Sequence, residues 1–167
     1  MMTADQIINS LRLKPHPEEG GYFVETYRSQ EFISKEALPD RYDGARSYGT
    51  AIYYLLTPDT FSALHRLRSD EVFHFYLGDP VEMLQLWPDG TGKVVLLGTD
   101  VLNGMVPQVI VPKGVWQGAR LVEGGRFALL GTTVAPGFDA RDYESGRRDI
   151  LIKSFSQLRD FIIALTK

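Results

Sequence analysis

Two of the chain's three histidines fall in one stretch, His65-Arg-Leu-Arg-Ser-Asp-Glu71-Val-Phe-His74-Phe-Tyr-Leu-Gly78. His65 stands six residues ahead of Glu71 in an otherwise aromatic and aliphatic run. An unpaired polar group in a core costs about 1–3 kcal/mol, so a buried strand carrying both must either use them or satisfy them. A histidine with a nearby carboxylate titrates close to neutral pH, the range that general acid–base chemistry needs. His65 is therefore expected to be the base, Glu71 to orient it or share its proton, and Tyr27 or Tyr53 to be the acid. The alternative is a polar pair that only satisfies itself in the core.

Further candidates follow from strand parity. Glu25 and Tyr27 alternate on one face of a strand over 22–28, with Phe23. The other face carries Thr26 and Arg28, and alternation does not say which face looks inward. Ser62 is a candidate ligand-binding residue. His74 follows Glu71 by three residues, so a regular strand turns it to the opposite side, where it packs or meets a partner. A bulge would bring it inward as a ligand-binding residue. His16, between Pro15 and Pro17, is expected to be structural or exposed.

The elements that must hold these groups are short. Thr3 can cap a helix over residues 4–11 with Ile7, Ile8 and Leu11 on one face. About nine β-type runs follow, punctuated by Thr57-Pro-Asp-Thr60, Gly78-Asp-Pro80, Pro88-Asp-Gly90, Pro112-Lys-Gly114 and Glu123-Gly-Gly125. Residues 29–46 are polar and irregular and read as a surface excursion. Phe155, Leu158, Phe161, Ile162 and Leu165 recur at helical spacing in a tail helix over about 154–166. Short strands at regular spacing, with a helix at each end, predict an all-β sandwich or barrel. The 167 residues suit one domain.

Composition removes several classes. There is no cysteine, so disulfides, zinc fingers, iron–sulfur clusters and thiol catalysis are out. The net charge of -3 and the lack of a basic block give no footprint for nucleic acid. No apolar run is long enough to span a membrane, and the first residues lack a signal-peptide pattern. A soluble cytoplasmic protein is expected. Gly90-Thr-Gly92-Lys93 lacks the remaining residues of a phosphate loop, and no nucleophile elbow is present.

His65, Leu67, Glu71 and Gly78 have the spacing of the first cupin motif, and Pro112-Lys-Gly114-Val-Trp-Gln117 that of the second. Pro15-His-Pro, Gly20-Gly-Tyr-Phe, Glu25-Thr-Tyr-Arg-Ser29, Ser69-Asp-Glu71, His74-Phe-Tyr and Val134-Ala-Pro-Gly-Phe138 resemble the uncharacterised cupin family known as DUF985, or cupin 5, over nearly the whole chain. The resemblance implies a double-stranded β-helix, the cupin jelly-roll barrel, over residues 1–167, with short terminal helices. It also implies a homodimer and a pocket inside the barrel. The family is similar in fold to sugar-nucleotide epimerases and germins.

A cupin metal site has three histidines and a glutamate. The second histidine position is Leu67 in this chain and the third is Gln117, which is expected in the pocket as a hydrogen-bonding group. An amide oxygen is a weak ligand beside imidazole. A divalent ion (nickel, zinc, iron or manganese) on His65, Glu71 and Gln117 is therefore expected to be weakly held or absent. The leading expectation is a cupin that binds a small polar metabolite, of carbohydrate or nucleotide-sugar type, with isomerase, epimerase or lyase chemistry on the His–Glu pair. The alternatives are a metal-dependent cupin with this reduced ligand set and a non-catalytic binding module.

Overall fold

The computed structural model describes residues 2–167. Helix α1 (Ala4–Leu11) begins where Thr3 and Gln6 form a reciprocal capping box, and ends at Arg12 in the left-handed conformation. The strands are β1 (Lys14–Pro15), β2 (Tyr22–Arg28), β3 (Phe32–Ile33), β4 (Arg46–Ser47), β5 (Thr50–Leu56), β6 (Ser62–Arg66) and β7 (Asp70–Gly78). They continue as β8 (Val81–Leu86), β9 (Gly92–Leu97), β10 (Gln108–Val111), β11 (Trp116–Leu121), β12 (Ala128–Ala135) and β13 (Glu144–Ser145). Helices α2 (Arg148–Ser154) and α3 (Arg159–Ala164) close the chain.

A six-stranded sheet runs β1-β2-β5-β12-β7-β10 and faces a five-stranded sheet in the order β13-β6-β11-β8-β9. All the pairings within these sheets are antiparallel, with crossovers between strands distant in sequence, which makes the jelly-roll arrangement. The inner faces meet in a core containing Tyr54, Leu56, Phe73, Phe75, Met83 and Leu130. The outer face of the six-stranded sheet packs Leu55 and Leu129 against Ile7 and Leu13, so α1 covers it. The other sheet packs Leu64, Leu84 and Leu86 against Leu151, Phe155, Ile162 and Leu165 of the tail.

Three short strands (β1, β3 and β13) lie outside the nine sequence runs, and β4 takes Ser47 from the head of the run that continues as β5, because each gains its pairing from tertiary position rather than from its own pattern. The tail stripe is broken up, since Phe155 leaves helical geometry at φ -134, ψ 55, and only Phe161 and Ile162 of it lie in α3. The 29–46 excursion also differs from a plain surface loop. Its Arg46 is 1% exposed and forks onto Asp142, with Nε 2.8 Å from Oδ2 and a second nitrogen 2.6 Å from Oδ1. That pair ties β4 to the turn at Ala140–Asp142.

Register irregularities decide what faces inward. In β2 the pairing with β5 slips between Glu25 and Tyr27, so Thr26 is the extra residue of a bulge. In β6 the pairing with β11 passes from Gln117↔His65 to Ala119↔Ser62. Residues three apart thus share a face in both strands: Glu25 with Arg28, and Ser62 with His65. In β7 the slip falls at Tyr76, beyond His74.

Candidate functional site between the two sheets

His65 is 2% exposed, in mid-β6. Its Nδ1 lies 2.7 Å from the Ala63 carbonyl. A carbonyl only accepts, so Nδ1 carries a proton and Nε2 is the nitrogen left to work in the cavity. The ring stacks on Tyr143 at 4.9 Å between centroids. Nε2 lies 3.9 Å from Glu19 Oε2.

Glu19 reaches this place through its loop. Gly20 and Gly21 have φ of 101° and 68°, values that L side chains rarely adopt. The Gly20 carbonyl accepts from Tyr54 Oη at 2.7 Å, and the Glu19 carbonyl accepts from Ala63 N at 2.8 Å. The Glu19 carboxylate accepts from Ser62 Oγ through Oε1. Its Oε2 is also 3.9 Å from His16 Nε2. His16 Nδ1 accepts from Glu19 N at 2.9 Å, so in the neutral ring Nε2 carries the proton and faces the carboxylate. Burial lowers the His16 pKa, against a smaller upward pull from Glu19. Glu19 Oε2 therefore sits between two imidazole Nε2 atoms.

Glu71 enters from the start of β7 and is buried. Desolvation pushes its pKa up to about 6, the proximity of Glu19 adds to this, and His65, Gln117 and Thr132 pull it back. Gln117 Nε2 donates to Glu71 Oε2 at 2.5 Å. The enclosed space is about 150 Å³, and its wall includes His16, Glu19, Glu25, His65, Glu71 and Tyr143. Arg28, Leu67, Thr132 and Phe138 also line it. Arg28 is held by Glu25 at 2.9 and 2.7 Å and donates to the Phe138 carbonyl at 3.0 Å. Burial raises the Tyr143 pKa well above the ordinary phenol range, so this group stays a hydroxyl.

The structure brings His65, Glu71 and Glu25 to the cavity wall, with Gln117 and Ser62 behind it holding Glu71 and Glu19. Three expected site residues are placed elsewhere. Tyr27 is 56% exposed, because the Thr26 bulge gives the inward position to Arg28 instead. Tyr53 lies on the outer face among the residues packed near α1, with its ring edge-on to Tyr76. His74 also faces outward, where its Nε2 is 2.6 Å from Thr133 Oγ1 and its Nδ1 is 3.3 Å from Gln108 Nε2. His16, expected to be structural or exposed, is a cavity residue. Glu19 and Tyr143 were not singled out from the sequence. The one signal for Glu19 was its place between Pro15-His16-Pro17 and Gly20-Gly21, and Tyr143 carried none.

The four cupin ligand positions do not make a strong metal centre. Leu67 offers no donor, and Gln117 commits its nitrogen to Glu71. Gln117 Oε1 is buried with no hydrogen-bond partner among the described residues. Among the described residues no group of three or more His, Asp or Glu side chains is arranged to hold an ion. One imidazole, one carboxylate and an amide oxygen make a weaker set than the imidazole, thiolate and carboxylate ligands of a tight transition-metal site.

Facing antiparallel sheets in this order, with a histidine and carboxylates walled in between them, define a cupin-type jelly roll. The chain belongs to the Cupin superfamily (DUF985) family, whose family model matches residues 5–146. The uncharacterised protein YML079W of Saccharomyces cerevisiae is 34% identical over 146 residues, covering 83% of this chain and 72% of the yeast protein. Protein SO0799 of Shewanella oneidensis is similar with a TM-score of 0.88 at 31% identity, over 100% of this chain and 99% of that one. A hypothetical protein from Leishmania major is similar with a TM-score of 0.87 at 31% identity, over 99% of both chains. The Bacillus subtilis oxalate decarboxylase shares the fold at 14% identity and a TM-score of 0.53, with 92% of this chain matching 37% of that one.

Proposed function

We propose that the chain binds a small polar metabolite, of carbohydrate or hydroxy-acid type, and moves a proton on it in isomerase or epimerase fashion. The observation that carries this reading is the convergence of His65 Nε2, Glu19 and Glu71 on one enclosed space. His65 Nε2 is the base, aimed by the Nδ1 bond to Ala63 O. Glu71, with a pKa near 6, exists in both protonation states around neutrality and supplies or takes the second proton. Glu19 stabilises His65 when it is charged, and Arg28 and the Tyr143 hydroxyl are donors for substrate oxygens. Abstraction of a proton next to a carbonyl and its return to a neighbouring atom or the opposite face fits this set.

Calorimetric titration with a panel of sugars and hydroxy acids tests the reading. His65→Ala is expected to abolish turnover of the metabolite found and weaken its binding at least tenfold. Unchanged affinity and turnover would remove the proposal.

A second reading has the unpartnered Gln117 Oε1 in its favour: a divalent ion (nickel, zinc, iron or manganese) held by His65, Glu71 and Gln117 with waters. Elemental analysis of protein purified without chelators decides, since near one ion per chain favours it. We also propose a homodimer through the outer face near edge strand β10, where Tyr76 and Ile110 are 48% and 58% exposed.

A further inference from the structure

The enclosed space of about 150 Å³ is below the roughly 300–1,000 Å³ of ordinary small-molecule sites. A ligand larger than a few atoms must extend out of it. A second concavity, of about 420 Å³, shares Leu67 and Tyr143 with it as a common wall. Five cations line this outer cleft (Arg41, Arg66, Arg68, Lys113 and Arg141), against two carboxylates, Asp142 and Glu144. In a chain of net charge -3 this is a local reversal of sign.

The four arginines are held in place by side-chain contacts. Arg41 Nε donates to Arg68 O at 2.9 Å, and Arg68 donates back to Arg41 O at 3.0 Å. Arg41 also lies over the Tyr42 ring at 4.7 Å. Arg66 is forked onto Glu144 and lies over Trp116 at 4.4 Å. Arg68 is 3.5 Å from Asp43 and 3.9 Å from Asp142. Arg141 is paired with Asp139 and Asp43. Lys113 stands on the turn between β10 and β11, fixed by its backbone N–H donating to Asp70 Oδ1 at 2.8 Å. Among the described residues neither Arg41 nor Lys113 has a carboxylate partner. An arginine fork and an ammonium, with positive charge left over, suit an anion that takes several donors at once.

We propose that this cleft binds the phosphoryl group of a phosphorylated small molecule whose remaining part enters the His65 cavity. The proposal rests on the reading of that cavity as the reacting end and adds the class of its ligand. Leu67 and Tyr143 line both spaces, so a ligand that bridges them passes these two side chains. The cleft's concavity and the acidic charge of the whole chain favour a small anion over a nucleic-acid strand, which needs an extended basic track.

Calorimetry with inorganic pyrophosphate, glucose and glucose 1-phosphate at fixed ionic strength tests this. Wild-type protein is expected to bind one pyrophosphate per chain, and Arg41→Gln/Lys113→Gln to weaken it at least tenfold. Lys113→Gln alone, whose side chain leaves no ion pair behind, should weaken it about threefold and covers the case in which the double variant misfolds. His65→Gln should leave pyrophosphate affinity within twofold while weakening glucose 1-phosphate. Absence of pyrophosphate binding, equal affinity in the cleft variants, equal affinity for citrate, or tighter binding of a single-stranded oligonucleotide would each overturn the proposal. If the cleft variants respond as expected but His65→Gln alters no ligand, the cavity reading fails and the anion site stands.

Discussion

Removing Glu71 from water disfavours its charged form, and the partners that pull the other way do not cancel the effect. A carboxyl group raised from its usual 4.5 to about 6 takes up a proton more readily in the folded state than in the unfolded one. Its contribution to stability is thus fully present below the ordinary value and lost as pH rises through about 6. Glu71→Gln is expected to gain on wild type by about 2 kcal/mol between pH 4 and pH 8. Chemical denaturation across that range measures it, and a difference independent of pH would contradict the burial account. The same residue sets a functional expectation: turnover should change across pH 5 to 7, and Glu71→Gln, with no proton to give or take, should lose most of the turnover at every pH. Glu19→Gln keeps the hydrogen bond to Ser62 but removes the charge opposite His65, so it should weaken metabolite binding more than it lowers melting temperature.

At the scale of elements, positioning falls to bulges and a glycine turn. A Cβ at Gly20 would run into the Phe61 carbonyl, and its φ of 101° is strained for any L residue. Gly20→Ala should cost about 1–3 kcal/mol and draw Glu19 away from His65, seen as lost metabolite affinity in protein that remains folded. The β4 segment depends on Arg46 in a similar way. Arg46→Met leaves buried Asp142 with only the distant Arg68, at 3.9 Å, and should cost about 3 kcal/mol, with Arg46→Met/Asp142→Leu recovering much of it. Thermal unfolding of the single and double variants gives the comparison. Equal losses in both would mean that the pair contributes packing rather than charge balance.

For the molecule as a whole, both outer faces are partly covered by helices, and Tyr76 and Ile110 are exposed on the β7–β10 side of the larger sheet. Tyr76→Glu/Ile110→Asp is expected to convert the proposed dimer to a monomer in sedimentation without loss of folded signal, since both side chains are half exposed or more. No helix among the described residues is long and apolar enough to cross a membrane.

What the sequence by itself determined was local. The Thr3 cap with its Ile7 stripe, the turn residues between alternating runs, and the His65–Glu71 spacing with Gln117 downstream were all legible, because each is a pattern within a few residues. They were enough for an all-β sandwich or barrel, which the family resemblance sharpened to a jelly roll, and for His65, Glu71 and Gln117 of the site. The tertiary structure decided the rest for a physical reason: a strand's inward face is a parity, and one extra residue inverts it. The Thr26 bulge put Arg28 in the cavity and Tyr27 outside, and no composition rule announces a bulge. Glu19, His16 and Tyr143 come from loops whose positions depend on contacts with β6, far away in the chain. Only folding showed that they meet His65, and that five separated cations line one cleft beside it.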